Sequence, residues 1–304
     1  MTNDAEVVEC VPNFSEGRRE EVIDAITQAA RAAGARVLDR EMDANHHRAV
    51  LTLAGSVRAV EAAAFETVRV ARDRIDLRTH QGEHPRMGAA DVVPFIPVRG
   101  VTMDDCVEIA RRVGRRIGEQ LSIPVFLYEA AATRPERRNL ANVRNGQFEG
   151  LADLIGKDPA RAPDFGPHRI HESAGACAVG ARFFLIAYNI NLDTPDVSVA
   201  RRIARRIREK DGGFPCVKAL GFELKDRGQS QVSMNLTNFR ATSILTVFDE
   251  VEKLAREAAV VVLESELVGL APREALPEAT LARVRLRDFD PRKQILEELL
   301  ERSS

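Results

Sequence analysis

Between His80 and Phe95 the chain reads His80-Gln81-Gly82-Glu83-His84-Pro85-Arg86-Met87-Gly88-Ala89-Ala90-Asp91-Val92-Val93-Pro94-Phe95. Two histidines, an arginine and two carboxylates crowd a loop that leads into an apolar run, and Gly82, Gly88 and Pro85 shape its backbone. Polar groups that packing does not need, placed on a loop anchored to a rigid element, are where catalytic groups concentrate. A histidine titrates near neutral pH and can both take and return a proton. At His84 the neighbours favour that role: Pro85 holds the backbone, Glu83 can raise the imidazole's pKa and Arg86 can anchor an anionic substrate. His80 reads equally well as a histidine held structurally by a hydrogen bond. The pair has the i, i+4 spacing that binds zinc on a helix. Gly82 and Pro85 break a helix here, HExxH is absent, and no cysteine or third histidine stands at ligand spacing, so no metal is expected.

The elements that must position this loop can be read from pattern. Val7 to Val11 is a short buried strand ended by Pro12 and Asn13. Ser15 is the expected N-cap of a helix that Gly34 stops. Strands follow at Val37 to Asp39 and Ala49 to Ala54, then an alanine-rich helix from Gly55-Ser56 to Ile75, then a strand from Asp91 to Val98. Strand, helix, strand, strand, helix, strand is the split βαβ, ferredoxin-like order. A helix from Met103 to Glu119 and a strand at Val125 to Tyr128 extend it. The second half repeats the order: strand Phe183 to Tyr188, helix Pro195 to Arg208, strands Val217 to Leu224 and Gln231 to Leu236, helix Ile244 to Ala258, and strand Val260 to Leu263. The expectation is an α+β chain of two βαββαβ subdomains, 1–177 and 178–304. Arg134 to Gly175 is a long connection rich in Arg, Asn, Gly and Pro, and long loops in compact domains are often functional.

Composition excludes several classes. Lys plus Arg is 44 against 46 for Asp plus Glu, a balance that argues against nucleic acid as a partner. An RNA-binding domain of ferredoxin-like order would carry aromatics on its sheet, whereas here aromatics are 5% with no Trp. No apolar run reaches the roughly 18–20 residues of a membrane span. The polar start, Met1 to Glu6, has no signal-peptide pattern, so a cytoplasmic protein is expected. Cys10, Cys106, Cys177 and Cys216 form no CxxC pair and read as reduced thiols. The arginine runs at Arg111 to Arg116 and Arg201 to Arg208 surround apolar positions four apart and read as solvated helix faces.

His80-x-Gly82-x-His84-Pro85-Arg86-x-Gly88-Ala89-x-Asp91-Val92-x-Pro94-Phe95-Ile96-Pro97 resembles the signature of the formiminotransferase family. Val8-Glu9-Cys10-Val11-Pro12-Asn13-Phe14-Ser15-Glu16-Gly17 resembles its N-terminal motif, and Leu267-Val268-Gly269-Leu270-Ala271-Pro272 its C-terminal one. Asp164-Phe165-Gly166-Pro167, Gly175-Ala176 and Gly180-Ala181-Arg182 are similar to its folate region. Phe184 to Leu192 and Gln231 to Leu236 resemble segments of its second subdomain. The resemblance covers nearly the whole chain in the right order.

It implies transfer of a formimino group from N-formimino-L-glutamate to N5 of tetrahydrofolate, two ferredoxin-like subdomains around a central substrate tunnel, and a homodimer. His84 takes the place of the catalytic histidine. Gly166, Pro167, His168, Arg169, Ile170, His171, Glu172, Ser173, Ala174 and Gly175 take the place of the folate-binding segment. Asp39, Glu41, Arg48 and Arg86 are candidates for orienting substrate, Glu41 standing where relatives often carry a second aspartate. A separate cyclodeaminase would then release ammonia from the product. N-formylglutamate as donor would need nearly the same site. The competing class is a non-catalytic folate-binding module, which would not need a proton shuttle.

Overall fold

The computed structural model describes residues 6–82 and 84–302, in two compact units that divide after Arg182. In the first unit β1 (Val7–Cys10), β2 (Asn13–Phe14), α1 (Glu20–Ala32), β3 (Arg36–Asp43), β4 (Arg48–Gly55), α2 (Val57–Arg74), β5 (Ala90–Arg99), α3 (Met103–Leu121) and β6 (Val125–Glu129) follow the expected order. Two short helices, α4 (Leu140–Val143) and α5 (Gln147–Leu154), then lead to β7 (Cys177–Ala181). Ser56 caps α2 by accepting from Ala59 N, and Thr102 with Asp105 forms a capping box on α3. Ser15 is not the cap of α1. Its hydroxyl donates to Gly88 O at 2.8 Å, and α1 starts at Glu20 after Arg19.

The sheet runs β3-β4, then β1 and β2 in succession, then β5-β7-β6. Pairings are antiparallel as far as β5, and β7 is parallel to both β5 and β6. Because β7 completes this sheet, the first unit extends to Arg182 rather than ending at 177. The stretch from Arg134 to Gly175 is not a free connection between halves. It is the crossover from β6 to β7, folded back onto the sheet.

Successive strand residues alternate between faces, and paired residues share one. Leu51, Leu53, Val93, Phe95, Leu127 and Val179 pack in one apolar core with residues of α1, α2 and α3. On the other face Val92, Phe126, Tyr128 and Ala178 pack under Val143, Leu151 and Ile155 of the crossover. The same face continues through Asn13, which pairs with both Val92 and Val50, to Arg48, Glu41 and Asp39. Arg40, between the two carboxylates, turns the other way and meets Asp24 of α1.

The second unit holds β8 (Ile186–Leu192), α6 (Val197–Ile207), β9 (Val217–Leu224), β10 (Gln229–Leu236), α7 (Ile244–Glu257) and β11 (Val262–Val268), then the short helices α8 (Glu278–Arg283), α9 (Pro291–Gln294) and α10 (Leu296–Arg302). Its sheet, β11-β8-β10-β9, is antiparallel throughout. The strand expected from Phe183 begins at Ile186, and the strand expected to end at Leu263 runs to Val268. On α6, Ile203 and Ile207 are buried and Arg201, Arg202, Arg205 and Arg206 exposed, as the arginine spacing requires. Cys10, Cys106 and Cys177 are buried, and all four thiols are free. Among the described residues no helix is long and apolar enough to cross a membrane.

Two glycines make opposite predictions. A Cβ on Gly88 would lie 1.8 Å from Ala176 O, at the bridge to Gly175 that ties the His84 loop to the crossover. Gly88→Ala should lower unfolding free energy by at least about 2 kcal/mol. Gly150, inside α5, has nothing within 4 Å of such a Cβ. Gly150→Ala should raise it by about 0.5–1 kcal/mol through helix propensity. Urea melts of both variants check the two signs.

Candidate active site

His84 stands on the loop between α2 and β5, and the β3–β4 turn holds that loop. The His47 and His80 rings stack at 4.1 Å between centroids and 4° between planes. His80 Nε2 donates to His47 O at 3.0 Å, and Arg86 Nε donates to His80 Nδ1 at 3.3 Å, so His80 is a neutral imidazole used on both sides. His47 Nδ1 lies 3.0 Å from Gln81 O and its Nε2 3.1 Å from the buried Glu16 carboxylate. Burial alone would raise the Glu16 pKa, but backbone N–H groups of Arg19 and Arg18 and the Arg19 side chain together pull it down. Gly82 lets the two segments touch, since a Cβ there would sit 2.6 Å from His46 O.

His84 itself is half-buried, and its Nε2 lies 3.1 Å from Arg48 Nη1. A guanidinium can only donate, so Nε2 is the acceptor and the imidazole is neutral with its proton on Nδ1. Burial, then the charges of Arg48 and Arg144, then His46 and His80, lower its pKa from 6.5 to about 3. Titration near neutral pH, expected from the sequence, is thus corrected by the surroundings. Glu83, expected to raise the pKa, lies outside the described residues.

Arg144 carries no signal of its own in the sequence beyond its place in the arginine- and glycine-rich crossover. It pairs with Asp91, whose other oxygen accepts from Met87 N at 2.7 Å. Burial and then Arg144 disfavour the charge of Arg48, which Glu41, Asp91 and Asp43 partly offset. Asp39 and Glu41 share the sheet face of Arg48, and burial raises both carboxyls; Asp39 raises Glu41 further and Arg48 lowers it.

Arg86 is placed differently from Arg48. Its fork grips Glu149 of α5 at 2.7 and 2.8 Å, and its remaining donors reach His80. These partners occupy the guanidinium and make it a strut between crossover and loop. The end of the Gly166 to Gly175 segment meets the same loop. Leu77 N donates to Ser173 O and Ala89 N to Ala174 O, both within 3 Å, while Gly175 fits only because a side chain would meet Met87 O. Ile170 packs on the crossover core, and His171 Nδ1 accepts from Ala174 N. Glu172 pairs with Arg78, whereas Gly166, His168 and Arg169 are exposed and Pro167 is half-buried. The structure therefore gathers His84, Arg48, Glu41 and Asp39 on one side and brings the end of the 166–175 segment against the same loop. No group of three or more His, Cys, Asp or Glu among the described residues could hold a metal ion.

The pattern of the formiminotransferase domain, N-terminal subdomain, matches residues 7–182, and that of the formiminotransferase domain matches 187–298. The chain belongs to the formiminotransferase family. It is 47% identical to the glutamate formimidoyltransferase of Streptococcus pyogenes serotype M1, over 96% of this chain and 98% of that protein. It is 46% identical to the glutamate formimidoyltransferase of Thermoplasma acidophilum, over 98% of each. Against the formimidoyltransferase-cyclodeaminase of Rattus norvegicus it is 44% identical over 90% of its own length, covering 52% of that protein.

The low pKa of His84 makes this formiminotransferase fold pH-sensitive in a stated direction. Unfolded His84 binds a proton below about 6.5 and the folded site refuses it down to about 3. The unfolded state then holds more protons, so this residue's contribution is complete above about 6.5 and is lost as pH falls toward about 3. Urea melts at pH 7.0 and about pH 4.5 should show a smaller loss for His84→Gln than for the parent chain.

Proposed function

We propose that the chain is a glutamate formimidoyltransferase, moving the formimino group of N-formimino-L-glutamate to N5 of tetrahydrofolate. The observation that carries this is the end-to-end similarity to proteins of that name, at 46% and 47% identity. The strand orders β3-β4-β1-β5 and β9-β10-β8-β11 support a ferredoxin-like subdomain in each unit.

N5 attacks the formimino carbon, and the new C–N bond gives a tetrahedral intermediate. The neutral His84 imidazole takes the proton from N5. The resulting imidazolium is a strong acid in this site, and it returns the proton to the glutamate nitrogen as the old C–N bond breaks. One residue serves both steps because the two nitrogens share a carbon. Arg48 and Arg144 provide positive charge for anionic substrates. The exposed His168 and Arg169 and the nearby Pro167 make the 166–175 segment a suitable folate contact.

His84→Ala should lower kcat by roughly 10²–10⁴-fold while tetrahydrofolate affinity stays within about threefold. Stopped-assay product formation and calorimetric folate binding separate the two. His80→Ala should act through stability, because His80 spends both ring nitrogens on the scaffold. Full transfer by His84→Ala would leave a folate-binding module as the better reading. Activity should also survive exhaustive chelation, and its loss with rescue by zinc would refute the proton-shuttle mechanism.

A further inference from the structure

Arg48 is the least satisfied cation in the site. Its hydrogen bond is to an uncharged acceptor, Nε2 of His84. Glu41, Asp91 and Asp43 act on it through space, yet among the described residues none forms an ion pair with it. A second cation, Arg144, is close enough to oppose its charge. Arg144 is fixed by Asp91, and its buried Nε–H has no acceptor among the described residues. A buried donor left open and two like charges held together are both costly, and both are relieved when an anion enters.

The Arg48 contact also occupies the lone pair that His84 needs. A base whose acceptor site is filled by a guanidinium N–H cannot take a proton until that donor moves. The chemistry of the donor substrate says what would move it. In an N-formimino amino acid the carbon next to the departing nitrogen bears the α-carboxylate. A group that handles that nitrogen therefore has the α-carboxylate as its nearest charged neighbour. The side-chain carboxylate and the folate tail are several bonds further away.

We propose that Arg48, backed by Arg144, binds the α-carboxylate of the donor, and that this ion pair draws the guanidinium off His84 and frees its Nε2 lone pair. The inference rests on the formimino-transfer reading above. It makes Arg48 both the reader of an α-amino-acid donor and the gate on the base. Tetrahydrofolate alone then meets a masked imidazole, and an amine donor without the carboxylate fails to unmask it.

The test compares two donors with tetrahydrofolate: N-formimino-L-glutamate and 4-formimidoylaminobutanoate, the same chain without the α-carboxylate. The parent protein should prefer the first by at least about 100-fold in kcat/KM. Arg48→Met should lose most of that on the natural donor, chiefly through KM, and gain on the analogue because His84 is no longer masked, so that the preference collapses to under about tenfold. Arg48→Lys should restore part of the preference. Calorimetry should show L-glutamate binding to the parent and not to Arg48→Met, with equal melting temperatures as the control for folding. A Met variant that loses both donors equally, or keeps the preference, overturns the proposal. A parent protein that transfers from neither donor removes the functional reading and this inference with it, whereas parent activity with an unchanged preference in both variants removes the inference alone.

Discussion

Arg48 donates to Nε2 of a half-buried, neutral His84, and a second guanidinium stands close behind. Two cations beside one imidazole keep it uncharged far below the usual histidine range. A pKa that low leaves the imidazole a weak base while Arg48 caps it, and makes its conjugate acid strong enough to give a proton back. The rest of the first unit can be understood as the framework that brings these three side chains together from 36 and more residues apart and keeps them there.

That framework is a set of close approaches. The β3–β4 turn carries His47 and delivers Arg48 at the start of β4. The loop after α2 carries His80 and His84. Stacked rings, a backbone carbonyl and the buried Glu16 bind the two segments together. From the opposite side the crossover contributes Glu149 to hold Arg86 and Arg144 to pair with Asp91. Histidines and arginines in this region thus divide between those spent on scaffold bonds and those left for chemistry, and bonding partners make the division.

The charges beside His84 call for an anion. Carboxylates at Asp39 and Glu41 lie on the same face, where burial raises the pKa of both, and neither forms an ion pair with Arg48 among the described residues. Asp91 is already shared between Arg144 and the Met87 amide. The Arg48 and Arg144 guanidinium groups therefore stand near His84, suited to the carboxylates that a formimino amino acid and a folate both bring.

Apolar strands, helix caps and glycine stops were enough to place the six elements of each βαββαβ order, because those signals are local, while β2, β7 and the short helices of the crossover carried no such signal. The His80–Pro97 run and the motifs beside it were enough to reach the family, and they singled out His84 from residue types alone. Other decisions needed the folded chain. His80 and His84 have similar neighbours in sequence, but only one has both ring nitrogens bonded to the scaffold. Arg86 adjoins the His84 loop and still points at Glu149, 63 residues away, while Arg144 enters from a segment that looked like a connection. Glu83 beside His84 suggests a raised pKa, whereas burial and two distant arginines lower it. Residue order determines what each side chain can do and which local element carries it. Which charge stands next to which, and how much water lies between, is decided by contacts between residues far apart in the chain, and only the tertiary structure makes those.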